Sequence, residues 1–178
     1  MIILSGILVF VFDQLSKIIL SKTLSLNQSL PVIKNFFHLT LIHNTGIAFG
    51  ILKDSSKTIL IVTIVGLGLI MYSVKKDLLG LESFNNAKSL FLKKIAIGFI
   101  VGGALGNMLD RLRLGYVVDF LDFRIWPVFN LADSFITIGA VILFWYLFIS
   151  DCVGKYKENF AAFKSFLAVL VMFTFKRL

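Results

Sequence analysis

Four apolar runs, at 2–20, 59–74, 95–109 and 131–149, govern what this chain can become. A helix needs about 20 mostly apolar residues, at roughly 1.5 Å of rise each, to cross the hydrocarbon layer of a bilayer. Within that layer the backbone must satisfy its own hydrogen bonds, so runs of this length close on themselves as helices. The fold class they predict is an all-α integral membrane protein, a four-transmembrane-helix bundle. Composition agrees, because 58% of the residues are hydrophobic and 16% charged, where soluble domains sit near half and a quarter. With 178 residues, the chain has room for one membrane domain, 1–150, and a basic, apolar tail, 151–178, but no separate soluble module.

The net charge of +8 would raise the question of nucleic acid in a soluble protein. Here the lysines cluster at the ends of apolar runs and no nucleic-acid motif is present, so the charge reads as membrane-flanking and no nucleic-acid partner is expected. Cys152, the single cysteine, permits no internal disulfide and has no partner at metal-ligand spacing. The first run lacks a basic start and carries Asp13 and Lys17 in its second half, which favours a retained span over a cleaved signal peptide.

Lys75, Lys76, Lys88, Lys93 and Lys94 fall between the second and third runs. The positive-inside rule puts that loop in the cytoplasm, with both ends of the four-span core. The outer face then receives two connections, 21–58 and 110–130. In the first, residues 36–43 are rich in aromatic and β-branched side chains, and Asn44-Thr45-Gly46 follows as a turn signal, so a small β element is expected on the membrane surface. Gly98, Gly102 and Gly106 recur every four residues in the third run and mark a face for close helix packing. The apolar stretch 160–175 spans only about 24 Å as a helix and includes Lys164; an interfacial helix is expected there rather than a fifth span.

Of ten acidic residues, Asp110, Asp119, Asp122 and Asp133 all fall in the second outer connection and its flanks. An ionised carboxylate beside lipid is costly and usually functional. Taken alone, Asp133 could be a charge at a helix start near Asn130, and Asp119 a loop carboxylate paired with Arg111 or Arg113. Taken as a pair in a low-dielectric site, the two aspartates cannot both ionise comfortably, and one shared proton lets them act as acid and base together. Asn107 and Arg111 share a helical face, and Asn130 lies three residues before Asp133. A membrane-embedded aspartyl hydrolase is the leading expectation.

Other chemistries fit less well. His38 and His43 lack the acidic partners a zinc protease needs, and no metal or cofactor is expected. Ser16 and Lys17 are adjacent and point apart on a helix, and Lys17 is expected to snorkel to the outer interface. The rival from another class is a small ion or proton transporter with Asp13, Asp119 and Asp133 as a relay, which would distribute ionisable residues across membrane depth. A structural adaptor would leave the Asn-Leu-Ala-Asp pattern idle.

In order along the chain stand Asp13-Gln14-Leu15-Ser16-Lys17, Asn44-Thr45-Gly46-Ile47-Ala48-Phe49, Gly102-Gly103-Ala104-Leu105-Gly106-Asn107-Met108-Leu109-Asp110-Arg111, Val117-Val118-Asp119-Phe120 and Phe129-Asn130-Leu131-Ala132-Asp133-Ser134. Over residues 1–150 the chain closely resembles the lipoprotein (type II) signal peptidase family. The resemblance implies an aspartyl endopeptidase of the bacterial cytoplasmic membrane, cutting prolipoproteins just before their diacylglyceryl-modified cysteine. It implies a four-span bundle in membrane lipid, with a small outer-surface β-cradle from the first outer connection and a short outer helix or lid from the second; a monomer is expected, since four packed helices can form the groove alone. It further implies sensitivity to globomycin-type inhibitors and an active site near the outer leaflet. The family's catalytic dyad falls on Asp119 and Asp133, and its supporting residues on Asp13, Asn44, Asn107, Arg111, Asn130 and Ala132. Asp110 reads as structural, and Asp122 matches no catalytic position. The segment between the two aspartates, 120–132, is shorter than the family's usual connection. Its part 121–129, with Arg124, Trp126 and Pro127, reads as a lid or membrane-contacting loop. The tail after Ser150 extends past the ordinary family end.

Overall fold

A computed structural model of the chain describes residues 1–46, 56–79, 81 and 87–152, apart from the side chains of 56 and 147–152. The elements run α1 (Ile2–Thr23), β1 (Ser29–Ile33), β2 (Phe37–Asn44), α2 (Ser56–Lys75), α3 (Ala87–Leu114), β3 (Val117–Asp122) and α4 (Leu131–Cys152). Three helices, α1, α2 and α3, are long and apolar enough to cross a membrane, and the described part of α4, Leu131–Tyr146, is a shorter apolar helix. The expected tail helix lies outside the described residues.

In α1 the usual distribution of a soluble helix is inverted. Ile3, Leu4, Ile7, Leu8, Val11, Phe12, Leu15, Ile18 and Ile19 are exposed, while Ser5, Val9, Asp13 and Lys17 form the buried stripe at four-residue spacing. Lipid tails solvate the apolar face at no cost, so polar side chains turn inward toward partners. The stripe meets the glycine face of α3. A Cβ at Gly102 would collide with the Gly6 carbonyl, and one at Gly106 would stand 2.5 Å from the Asp13 carboxylate. On the other side of α3, a Cβ at Gly103 would lie 2.7 Å from the Ala132 carbonyl of α4. Thus α3 is the central helix, packed along α1 and α4, with α2 touching it more sparsely. Its end is set by Gly115, at φ 81°, whose amide reaches back to the Arg111 carbonyl at 3.1 Å, the left-handed stop that glycine adopts cheaply.

The expected β element is present as β2, and it is the middle strand of an antiparallel sheet ordered β1-β2-β3. Ile42 pairs with Asp119 and Asn44 with Val117, and the register shifts between Leu39 and Ile42, an irregularity of the kind a bulge makes. Leu24, Leu41 and Val118, with Leu20, Leu39 and Tyr116, cement the sheet to the end of α1.

Several expectations are corrected. Among the described residues the second outer connection holds no short helix; its residues 117–122 form β3, because the β-branched and aromatic residues of Val-Val-Asp-Phe-Leu-Asp suit a largely buried strand beside β2 better than a helix. After β3 the chain folds straight back, with the Leu121 and Phe129 backbones exchanging bonds of 2.7 and 3.0 Å. Phe123 packs on Phe36, Phe37 and Phe129. Lys88, Lys93 and Lys94 belong to α3 rather than to a loop, and Lys93 is buried with its ammonium 2.9 Å from the Leu79 carbonyl. Lys17 does not snorkel; it is only 3% exposed and points into the bundle, where two carboxylates repay its desolvation.

Candidate active site

Helix α4 opens on Asn130-Leu131-Ala132-Asp133, and a helix start leaves backbone N–H groups without intrahelical partners. Asn130 caps one of them, its Oδ1 accepting the Asp133 amide at 2.9 Å, as asparagine at this position favours. Another is taken from outside the helix, since the Ala132 amide donates to Asp13 Oδ1 of α1 at 3.0 Å. Ala132 is fully buried and faces Gly103, where a larger side chain would push α4 from α3. Asp133 sits in the first turn, where the helix dipole favours negative charge.

The cap also binds the second aspartate. Asn130 Nδ2 donates to Asp119 Oδ1 at 2.7 Å, and Asn44 Nδ2 donates to Asp119 Oδ2 at 2.7 Å. Asp119 is 1% exposed and Asp133 6%. On the Asp133 side, Asn107 Nδ2 donates to Oδ1 at 2.8 Å. Arg111, one turn on, donates to the Asn107 carbonyl at 3.3 Å, and its charge lies near those of Asp133, Asp119 and Asp110. A single asparagine therefore touches both aspartate residues, each carboxylate receives amide donors, and a guanidinium compensates their charge. This arrangement can stabilise one negative charge while leaving a proton for the other carboxyl.

Beneath the pair lies a second layer. Lys17 Nζ stands 2.8 Å from Asp13 Oδ2, 2.8 Å from Asp110 Oδ2 and 2.9 Å from Asn107 Oδ1. Gln14 Nε2 donates to Asp110 Oδ1 at 3.0 Å and to the Gly106 carbonyl at 3.2 Å. Asp110 Oδ2 also accepts the Val118 amide at 3.3 Å, which ties β3 to the end of α3.

All eight residues singled out above, Asp13, Asn44, Asn107, Arg111, Asp119, Asn130, Ala132 and Asp133, meet at this one end of the bundle. Sequence reasoning missed Lys17 and Gln14. The available signal was the spacing of Asp13 and Lys17, four apart in an apolar helix, where an isolated charge is costly. Among the described residues no group of His, Cys, Asp and Glu side chains is arranged to hold a metal ion.

The sheet carries its own polar cluster, outside the spans. Burial opposes ionisation of Asp122, but the Thr40 hydroxyl at 2.7 Å, the Arg124 amide at 2.8 Å and the Arg124 charge outweigh it and hold its carboxyl below the usual range. Arg124 Nη2 also approaches His38 Nδ1 at 2.8 Å. His43 stacks on Tyr116 with ring centroids 3.9 Å apart, and burial lowers its affinity for a proton.

Comparison with known proteins identifies the family. The family model described as signal peptidase (SPase) II matches residues 5–149. A lipoprotein signal peptidase of Halothermothrix orenii is 41% identical over 155 residues, covering 86% of this chain and 99% of that protein. One from Moorella thermoacetica is 44% identical over 147 residues, covering 83% and 92%. A solved bacterial membrane enzyme superposes with a TM-score of 0.74 at 35% identity, over 88% of this chain and 93% of its own. Nothing in these likenesses favours the transporter reading. With its matched region running through every element that builds the site, the chain belongs to the signal peptidase II family.

Proposed function

We propose that the protein is an aspartyl endopeptidase that removes signal peptides from lipoprotein precursors, cutting immediately before the diacylglyceryl-modified cysteine. The observation that carries this reading is Asn130, whose side chain binds the Asp133 amide through its oxygen and the Asp119 carboxylate through its nitrogen. The family assignment supplies the peptidase activity, and the aspartate pair supplies its chemistry.

In the proposed reaction one member of the pair, as carboxylate, takes a proton from water while the resulting hydroxide adds to the scissile carbonyl carbon. The other member, protonated, donates a hydrogen bond to the carbonyl oxygen and stabilises its developing charge. Collapse of the tetrahedral intermediate breaks the C–N bond, and the leaving cysteine nitrogen takes a proton from the pair. No acyl-enzyme forms and no cofactor is needed. Arg111 limits the charge repulsion within the pair, and Asn44, Asn107 and Asn130 hold the two carboxyl groups in register.

The setting belongs to the same proposal. Four spans cross the bacterial cytoplasmic membrane with both ends of the core in the cytoplasm, and the site lies near the outer leaflet. The exposed apolar face of α1, from Ile7 to Ile19, supports contact with membrane lipid, and a lipid-facing route would admit the substrate's acyl chains. The chain works as a monomer, and globomycin-type cyclic peptides occupy the site.

The test uses purified protein in detergent with a diacylglyceryl-modified precursor, read by product mass. Cleavage just before the lipidated cysteine, blocked by globomycin, is expected. Release of a peptide cut elsewhere, or equal turnover of the unlipidated precursor, would overturn the substrate assignment.

A further inference from the structure

Every amide in the site must point the right way round for the aspartates to receive donors. An asparagine side chain offers an oxygen on one arm and an NH2 on the other, and the two ends differ little in shape. For Asn130 the choice is forced by its own helix, because the Asp133 backbone N–H can only donate and so claims Oδ1. That leaves Nδ2 for Asp119 at 2.7 Å.

For Asn107 the corresponding group is Lys17. An ammonium has three donors and no acceptor, so at 2.9 Å it can bond only the amide oxygen. Asn130 Nδ2 adds a weaker claim on the same atom at 3.1 Å. With the oxygen held, Nδ2 faces Asp133 Oδ1 at 2.8 Å. The ammonium is itself fixed by Asp13 and Asp110 at 2.8 Å each, and all four groups are buried.

We infer that Lys17 is a positioning residue for hydrolysis: it orients the Asn107 amide so that its NH2, not its oxygen, meets Asp133. The inference rests on the dyad reading above. Without the ammonium, the inverted amide becomes accessible. It places a carbonyl oxygen against the Asp133 carboxylate, so the charged form loses a donor and gains a repulsion. The pair then holds its protons more tightly. The charged groups facing Asn107 are Lys17 and Asp13 from α1, Asp110 and Arg111 from α3, Asp119 from β3 and Asp133 from α4. Lys17 alone among them donates to the Asn107 side-chain oxygen.

The test compares kcat, KM and the pH profile of the detergent-purified full chain on the lipidated precursor. Lys17→Met combined with Asp110→Asn removes the ammonium together with one of its two carboxylates, keeping the charge balance. It is expected to lower kcat about 100-fold, to leave KM within about threefold, and to move the profile of the pair to higher pH. Lys17→Arg, which keeps a cationic donor, is expected to recover the original profile. Turnover within about threefold of wild type on an unmoved profile would overturn the inference. So would a folded Lys17→Arg protein with the Met variant's profile.

Asn107→Leu removes the oriented amide while keeping the Lys17 ammonium on Asp13 and Asp110 and must show the same upward shift. Its failure to do so overturns the inference even if the Lys17 double variant does not fold. Asp119→Asn and Asp133→Asn separate the two levels. If either cleaves undiminished, the dyad itself is wrong; if both are inactive while the Lys17 variants behave as wild type, only the positioning role falls.

Discussion

Near its start α3 buries Lys93 against the Leu79 carbonyl, in a core of Ile70, Leu79, Leu81, Ala96, Ile97, Ile100 and Leu143. Toward its other end the same helix buries Asn107 and Asp110 in a network that reaches α1, β3 and α4. The first region answers one buried cation locally, with a neighbouring carbonyl and the nearby charge of Asp77. The second joins carboxylates, amides and cations from four elements so that each fixes the direction of the next. Burying a polar group requires only that it be satisfied; delivering donors to two particular carboxylates requires a connected arrangement. On the proposed reading, the contrast separates a lysine that serves packing from one that serves chemistry.

The comparison breaks most visibly if the helix approach that carries both regions is forced apart. Gly102→Leu places a side chain against the Gly6 backbone, and a loss of about 3 kcal/mol is expected from overpacking against backbone. Denaturation in detergent micelles should show it, and a near-native midpoint would mean that α1 and α3 are less closely engaged. Next in size is Asn130→Ala, which removes a helix cap and a donor to Asp119 together. The cap accounts for about 1 kcal/mol of stability, and kcat should fall about 100- to 1,000-fold; kinetics alongside melting distinguishes the two losses. Lys93→Met should sharpen the contrast from the packing side. Its stability is expected to change by no more than about 1.5 kcal/mol, because an apolar chain replaces a costly buried charge, and kcat should stay as in wild type.

The smallest effect belongs to the sheet. Asp122 has a folded pKa below its ordinary 3.8, so its contribution is fully present above that value and disappears as pH falls through the folded pKa. Wild type should therefore melt above Asp122→Asn at neutral pH, and the gap should close only in strong acid. His43 works with the same sign near its ordinary 6.5, since burial favours the neutral ring. Stability from that residue is complete above 6.5 and declines as acid protonates the unfolded chain first. A melting gap for Asp122→Asn that widened on acidification would reverse the assignment.

Much of the fold is legible in residue order because lipid imposes a length and an apolar composition on each span. The glycine spacing at 98, 102 and 106 announced a close helix contact, though not that its partner is α1. What the sequence could not disclose was direction. Lys17 follows Asp13 by four residues, but whether a long cationic side chain turns to the interface or to the interior depends on Asp110, a residue far along the chain. Likewise, Val117–Asp122 lacks the alternation of a half-exposed strand because nearly all of it is buried beside β2, so β3 was hidden in what looked like a connecting loop. The aspartates and asparagines were readable as candidates from their motifs, yet the shared role of Asn130 appears only when α4 and β3 meet.

The central claim is that Asp119 and Asp133 act as one unit on the scissile bond. Its most direct test is the cleavage rate of the lipidated precursor by Asp119→Asn and by Asp133→Asn, each checked for wild-type melting. Both changes are nearly isosteric and keep the neighbouring elements in place. The account predicts that either alone lowers kcat by about 10,000-fold or more, and that the double variant is scarcely worse. A folded single variant retaining a tenth or more of wild-type turnover, by roughly the measure of one hydrogen bond rather than of the chemistry, would contradict it.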